Sequence, residues 1–182
     1  MSRRRQRVRD EILESAREVI LRDGIGAVTL SAIAEKLELT KAALYYYFDS
    51  KDSLLFEIVY ETMLAEVEAI EERVAEASDG AEAIEGIIRG CSEHYAGDLD
   101  SFRLVYLAGQ VGATIAAPPG ILEKIRPFNE RLYGGAERLI EADRAAGRIP
   151  ESVAPRRTAF LAHCAAIGVF TYEGLVAISD DP

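Results

Sequence analysis

Lys41, Ala42, Tyr45 and Tyr46 would share the outward face of one short helix. Their types suit a polyanion with flat bases. An ammonium and two phenol hydroxyls can meet phosphates, and the tyrosine rings can lie on thymine methyls or sugars. Ala42 is small enough to let backbone approach base edges. Lys41 and Lys51 would each begin a helix, where the helix dipole disfavours a cation by about 0.3–1 kcal/mol. Stability alone favours Asp or Glu at both places. The lysines make sense if they and the helix N-termini together receive phosphates. The plainer alternative is that exposed lysines are tolerated almost anywhere.

A second group of residues could bind a metal. Cys91 and His94 stand three apart on one helix face, and His163 and Cys164 could add ligands of the type zinc prefers. Neighbouring helical positions diverge by about 100°, so His163 and Cys164 would not both face one ion. A buried cysteine acting as a small hydrophobe is the default. Asp98 and Asp100 read as helix caps. An all-helical enzyme with His94 or His163 as general base is the weaker reading, since no nucleophile–base–orienter set is legible. No Gly-rich phosphate loop and no motif calling for a cofactor appears, and Trp is absent.

These side chains need helices to place them. Almost every segment has helical periodicity and none alternates like a strand, so the fold class is all-α. A first helix is expected near Arg7–Arg22, with Val8, Ile12, Ala16, Val19 and Ile20 as its apolar stripe and Gly24 as its left-handed cap. Thr29 caps a second helix whose Leu30, Ile33, Ala34 and Leu37 share a face, and Val28 can staple onto Ile33. Thr40 caps a short third helix, Lys41–Phe48, with Leu44, Tyr47 and Phe48 inward. Two short helices joined by a tight turn form a helix-turn-helix, whose second helix enters the major groove. A long fourth helix follows Asp49-Ser50 to about Ala77. Further helices are expected near residues 81–97, 100–116, 120–146 and 153–178.

The chain has 182 residues, 49% hydrophobic and 29% charged, which is globular and not disordered composition. Its net charge of −10 argues against an unspecific nucleic-acid coat only if that charge is evenly spread. It is not. Residues 1–56 hold ten Lys/Arg against nine Asp/Glu, a net +1, while the remainder holds 11 against 22, a net −11. Five of the first nine residues are Arg. A basic head and an acidic body follow, although a solvated N-terminal tail would show the same arginines. No apolar run is long enough to span a bilayer and the start has no apolar signal core, so no membrane role is expected. Two cysteines are too few for a disulfide framework, and a cytoplasmic home is expected.

Thr29-Leu30-Ser31-Ala32-Ile33-Ala34, then Leu39 through Phe48, then Ser50-Lys51-Asp52-Ser53-Leu54, resembles the tetracycline-repressor-like (TetR) family of bacterial regulators. The specific match covers residues 7–60; the body matches in its helical layout and in the turn Ala146-Gly147-Arg148-Ile149. The resemblance implies a helix-turn-helix DNA-binding domain, residues 1–50, and a larger helical bundle for effector binding and dimerisation, residues 51–182. It implies a homodimeric repressor on double-stranded palindromic operator DNA, released by a small-molecule effector. Carried over by position, Thr40, Lys41, Ala42, Tyr45 and Tyr46 would contact bases or phosphates. Thr29 and Lys51 would grip phosphates on either side. Arg3, Arg4 and Arg5 would reach the adjacent minor groove or the backbone. The alternative within this reading is a metal- or thiol-responsive regulator using Cys91 and His94.

Two features depart from the family. Glu38 stands where the family often has Gly, so either Glu38 takes a left-handed geometry or the turn has another shape. The family often ends in two long helices that build the dimer interface; one, near 153–178, is visible here before Asp180-Asp181-Pro182. Effector-binding candidates in the body are Cys91, His94, Tyr95, Phe102, Tyr106, Gln110, Phe128, Tyr133, His163 and Phe170, with Cys164 beside them. The aromatics among them are more often plain core.

Overall fold

Thr29 and Thr40 cap two seven-residue helices by the same device. In this computed structural model, which describes residues 3–107 and 121–179, each threonine Oγ1 accepts from the backbone N–H three residues on, Ala32 and Ala43, at 3.1 Å. The helices are α2 (Leu30–Lys36) and α3 (Lys41–Tyr47). Before them run α1 (Arg3–Asp23) and a 3₁₀ turn (Ile25–Ala27). After them come α4 (Lys51–Ala75), α5 (Gly80–Ala96), α6 (Leu99–Phe102), which continues as a π-helical turn (Arg103–Leu107), α7 (Ile121–Ala145) and α8 (Pro155–Ser179). Among the described residues there is no strand. The all-α expectation is met.

Two compact units are present. The first holds residues 3–61 and 104–107, the second residues 62–103 and 122–179.

In the first unit, the apolar stripe of α1 packs with α2, α3 and the start of α4. Ile12, Leu13, Ala16, Val28, Ile33, Leu44, Leu54 and Ile58 are buried in one cluster, with Tyr47 packed at its margin. Val28 and Ile33, the expected staple, are both fully buried. Gly24 ends α1 at φ +82°, as expected of a left-handed cap. The turn between α2 and α3 takes the first of its two foreseen shapes: Glu38 sits at φ +54°. Ser50 and Ser53 cap α4 reciprocally, each backbone N–H donating to the other's hydroxyl.

Most helices begin and end within one or two residues of the expected bounds, and the differences that matter are these. Helix α1 begins at Arg3, not Arg7, so Arg3, Arg4 and Arg5 form its first turn. Helix α4 stops at Ala75. The helix expected over 100–116 is a single α-turn followed by a π-turn up to Leu107, and residues 108–120 lie outside the described residues.

In the second unit, Asp79 caps α5 through Glu82 N–H (2.9 Å), and Glu82 accepts in return from Ser78. Helix α5 lies against α4 along Gly86 and Gly90. A Cβ on Gly90 would stand 2.7 Å from Ile70 Cα, closer than carbon atoms pack. Asp98 caps α6 through Ser101 N–H, as its spacing suggested. Helix α8 buries Ala159, Ala162, His163, Ala166 and Phe170.

Candidate nucleic-acid interface and buried polar centre

Helix α3 turns Leu44 into the core and leaves Lys41, Ala42, Tyr45 and Tyr46 exposed. Tyr46 is 64% exposed, a large aromatic surface that core packing does not explain. The Arg5 guanidinium lies over the Tyr46 ring, 4.6 Å from its centroid, and the Lys41 ammonium lies 6.0 Å from the Tyr45 centroid. Tyr46 also meets Tyr47 edge to face, with centroids 5.4 Å apart. Cation and aromatic thus alternate across the exposed face of α3. Thr29 and Thr40 are exposed at their helix N-termini. Each uses an oxygen lone pair for its cap, which leaves the hydroxyl hydrogen to donate.

Arg3, Arg4 and Arg5 are exposed in the first turn of α1. Helical backbone there replaces the extended arm that minor-groove insertion would use. No acidic residue occupies that turn, so three cations sit at the positive end of the helix dipole. Further along α1 the arginines serve the fold: Arg9 pairs with Glu57 (2.5 Å) and Glu61 (3.2 Å), and Arg17 with Glu61 (3.1 Å).

Lys51 has a structural partner the sequence did not reveal. Its Nζ donates to the Ile25 carbonyl at 2.9 Å and to the Gly26 carbonyl at 3.4 Å. These carbonyls offset the cost of a cation at a helix start. They account for Lys51 without a phosphate, while Lys41 gains no comparable contact from its ring neighbour.

In the second unit the candidates separate into two groups. Tyr95, Phe102 and Phe170 form an aromatic cluster with centroids 5.3–6.0 Å apart, each 5% exposed or less. His94 stacks edge-on against Tyr95 at 4.5 Å, and its buried Nε2 has no hydrogen-bond partner among the described residues. Phe128 is buried and Cys164 is exposed; Tyr106, which belongs to the first unit, is half-buried. Gln110 lies outside the described residues.

The other group is polar. Tyr133 Oη and His163 Nδ1 share a hydrogen bond of 2.8 Å. His163 Nε2 faces Glu66 Oε1 at 2.9 Å. The Cys91 thiol reaches the same carboxylate at 3.8 Å. All four residues are buried. Cys91 therefore meets Glu66 and His163, not the His94–His163–Cys164 set that spacing offered. Glu66 was missed. It lies at the middle of the row Ile58, Thr62, Glu66, Ile70, Val74, spaced four residues apart, and a carboxylate on a row whose other members are apolar apart from Thr62 is the signal that could have found it.

A phenol, an imidazole and a carboxylate in series resemble a proton relay. Burial acts against such use. It pushes the Tyr133 phenol up to about 12, and burial with the Glu66 carboxylate pushes the Cys91 thiol up to about 12. Both groups are neutral at pH 7, and nucleophilic catalysis needs the reverse shift. Tyr133 also lines a surface groove of about 400 Å³ with Asn129, Arg156, Arg157 and Phe160. A larger groove of about 580 Å³ is lined by Glu71, Val74, Arg131, Gly135 and Arg138, none of them a sequence-based candidate.

Comparison with known proteins agrees with this geometry. Residues 12–58 match the family model for bacterial regulatory proteins of the tetR family. No curated protein matches the chain in sequence. Among solved structures, the TetR family transcriptional regulator PfmR from Thermus thermophilus is similar over 90% of this chain and 83% of its own, with 25% identity and a TM-score of 0.65. AibR, solved with isovaleryl coenzyme A and operator DNA, has 21% identity over 90% of this chain and 85% of its own, TM-score 0.66. FadR from Bacillus subtilis, solved with stearoyl-CoA, has 20% identity over 94% of this chain and 88% of its own, TM-score 0.69. Residues 12–58, which carry α2 and α3, are thus similar to bacterial regulatory proteins of the tetR family, and the described residues have the fold of these solved regulators.

Proposed function

We propose that the protein is a DNA-binding transcriptional repressor that leaves a palindromic operator when a small molecule binds its body. The observation that carries this reading is the exposed face of α3, where Lys41, Ala42, Tyr45 and Tyr46 project from a doubly capped helix-turn-helix. Residues 1–50 are the DNA-binding head and residues 51–182 the effector-binding and dimerising body. AibR, a structural neighbour, was captured with both an acyl-CoA and operator DNA, which supports one chain doing both tasks. The effector is expected among the body helices that carry Tyr95, Phe102, Tyr133 and Phe170. A regulator and not an enzyme fits the raised Tyr133 and Cys91 values.

Dimerisation is part of the proposal. Helix α8 is apolar on its outward side as well as its inward one: Phe160, Leu161, Val169 and Tyr172 are 49–71% exposed. A helix apolar all round is a buried helix, and a second copy supplies the cover. Two heads would then meet two half-sites about one helical turn apart.

The test is binding to the DNA upstream of the protein's own gene, followed by fluorescence anisotropy across a salt series. Specific binding should weaken steeply as salt rises. Lys41→Ala and Tyr45→Ala should weaken it without loss of helicity. No binding at low salt to that DNA, or to sequences selected from a random duplex pool, overturns the reading. Sedimentation should give twice the chain mass, and Leu161→Glu should give a monomer.

A further inference from the structure

Glu66, Cys91 and His163 come from α4, α5 and α8, and each brings one ligating atom to the same place. Their carboxylate oxygen, sulfur and imidazole nitrogen all lie within 4.8 Å of one another, and all three residues are buried. We propose that this cluster is a binding site for one thiophilic divalent cation of the zinc class, coordinated by Glu66 Oε1, Cys91 Sγ and His163 Nε2.

The distances suit that class. Bonds of about 2.0–2.3 Å in a tetrahedron place neighbouring ligand atoms about 3.3–3.7 Å apart. The Cys91–Glu66 distance is 3.8 Å and the His163–Glu66 distance 2.9 Å, and the Cys91–His163 pair lies within 4.8 Å, so small side-chain adjustments of the last two pairs fit a cation. Binding of the cation displaces the Cys91 thiol proton to solvent, and the resulting thiolate selects against magnesium and calcium, which prefer oxygen ligands. The mixed S, N, O set selects for zinc, or cobalt as its spectroscopic substitute. Three protein ligands leave the fourth tetrahedral position for water or an incoming molecule.

The surroundings are those of a ligating histidine. Such an imidazole normally holds a partner on its second nitrogen, which fixes the ring and tautomer. Tyr133 Oη provides it, 2.8 Å from His163 Nδ1. With a cation on Nε2, the proton resides on Nδ1 and is donated to Tyr133. The backbone is also arranged for the site. Gly90, the residue before Cys91, allows α5 to approach the Ile70 backbone, one turn beyond Glu66 on α4. That approach carries the Cys91 sulfur to the carboxylate. The exposed Cys164 takes no part, and His94, on the neighbouring turn, is replaced by His163 from 97 residues away from Glu66.

The site does not depend on the DNA-binding reading, because its ligands all belong to the second unit. The test is titration of the full-length, reduced, chelator-treated chain with Co²⁺. One equivalent per chain should give thiolate-to-cobalt charge-transfer absorption in the near ultraviolet and intense visible bands of tetrahedral cobalt. Zn²⁺ should bleach both, and Mg²⁺ in excess should leave them. Cys164→Ser should keep the spectrum, whereas Cys91→Ser should lose the charge-transfer band. Absence of a saturable thiolate–cobalt band in the unmodified chain overturns the proposal, and so does its loss in Cys164→Ser. These two arms hold even if Cys91→Ser fails to fold. A chain that binds cobalt this way but ignores DNA keeps the site and loses the repressor reading. One that binds DNA but not cobalt does the opposite.

Discussion

The Arg5 guanidinium rests on the Tyr46 ring, 4.6 Å from its centroid, and so joins the first turn of α1 to the exposed face of α3. A cation–π contact at an exposed site contributes about 0.5–1 kcal/mol. Its larger consequence is placement. It holds a positive charge beside α3 in a chain whose net charge is −10. An excess of acidic groups keeps general attraction to DNA weak, so the binding proposed above would depend on a few positioned groups.

Arg5→Ala should weaken operator binding several-fold and lower the salt slope by about one ion. Helicity and thermal midpoint should stay close to the parent, because Arg5 is exposed. The check is anisotropy at several salt concentrations. An unchanged slope would remove Arg5 from the DNA face.

Glu38 turns between α2 and α3 at φ +54°, where an L side chain costs about 1–2 kcal/mol. Glu38→Gly relieves that cost and loses some of the gain to backbone entropy. The expected net is a stabilisation of about 1 kcal/mol, a rise of roughly 2–4 °C in the melting midpoint for a chain of this size. Glu38→Ala keeps the strain and should give no rise. Calorimetry of both variants decides it.

The head was legible because its signals are local. Threonine caps, a staple of Val28 on Ile33 and apolar steps of three and four residues all lie within a few positions of each other. Even the left-handed residue announced itself as a missing glycine. The polar centre was not legible in the same way. Cys91 and His94 look paired because they are three apart, but the partners Cys91 has are Glu66 and His163, brought in by packing of other helices. The partners of Lys51 were hidden for a related reason: the carbonyls of Ile25 and Gly26 that accept from it come from a turn about 25 residues earlier.

Gly90 permits the close approach of α5 to α4. Gly90→Ala would press a Cβ to 2.7 Å from Ile70 Cα, a backbone atom that cannot step aside. The expected cost is about 1–3 kcal/mol, as for other overpacked cores. Gly97→Ala is the control. Its Cβ would meet nothing within 4 Å and its φ is −97°, so the change should stay within about 0.5 kcal/mol. Denaturant melts compare the two, and equal midpoints would show that α5 can move away without cost.

Asp143 near the end of α7 accepts from the Gly80 N–H at 2.8 Å, at the start of α5, and pairs with Arg148. The hydrogen bond from Arg148, then that from Gly80, holds its carboxyl below the usual aspartate range. A carboxyl depressed in the folded state stabilises the fold above its unfolded pKa, about 3.9, and loses that contribution as pH falls through the lower folded value. Asp143→Asn should therefore lower the melting midpoint at pH 7. The gap between variant and parent should narrow from about pH 4 downward as the parent's carboxylate is protonated. A gap that stays constant from pH 7 to pH 3 would mean that Asp143 acts through shape and hydrogen bonding alone, without its charge.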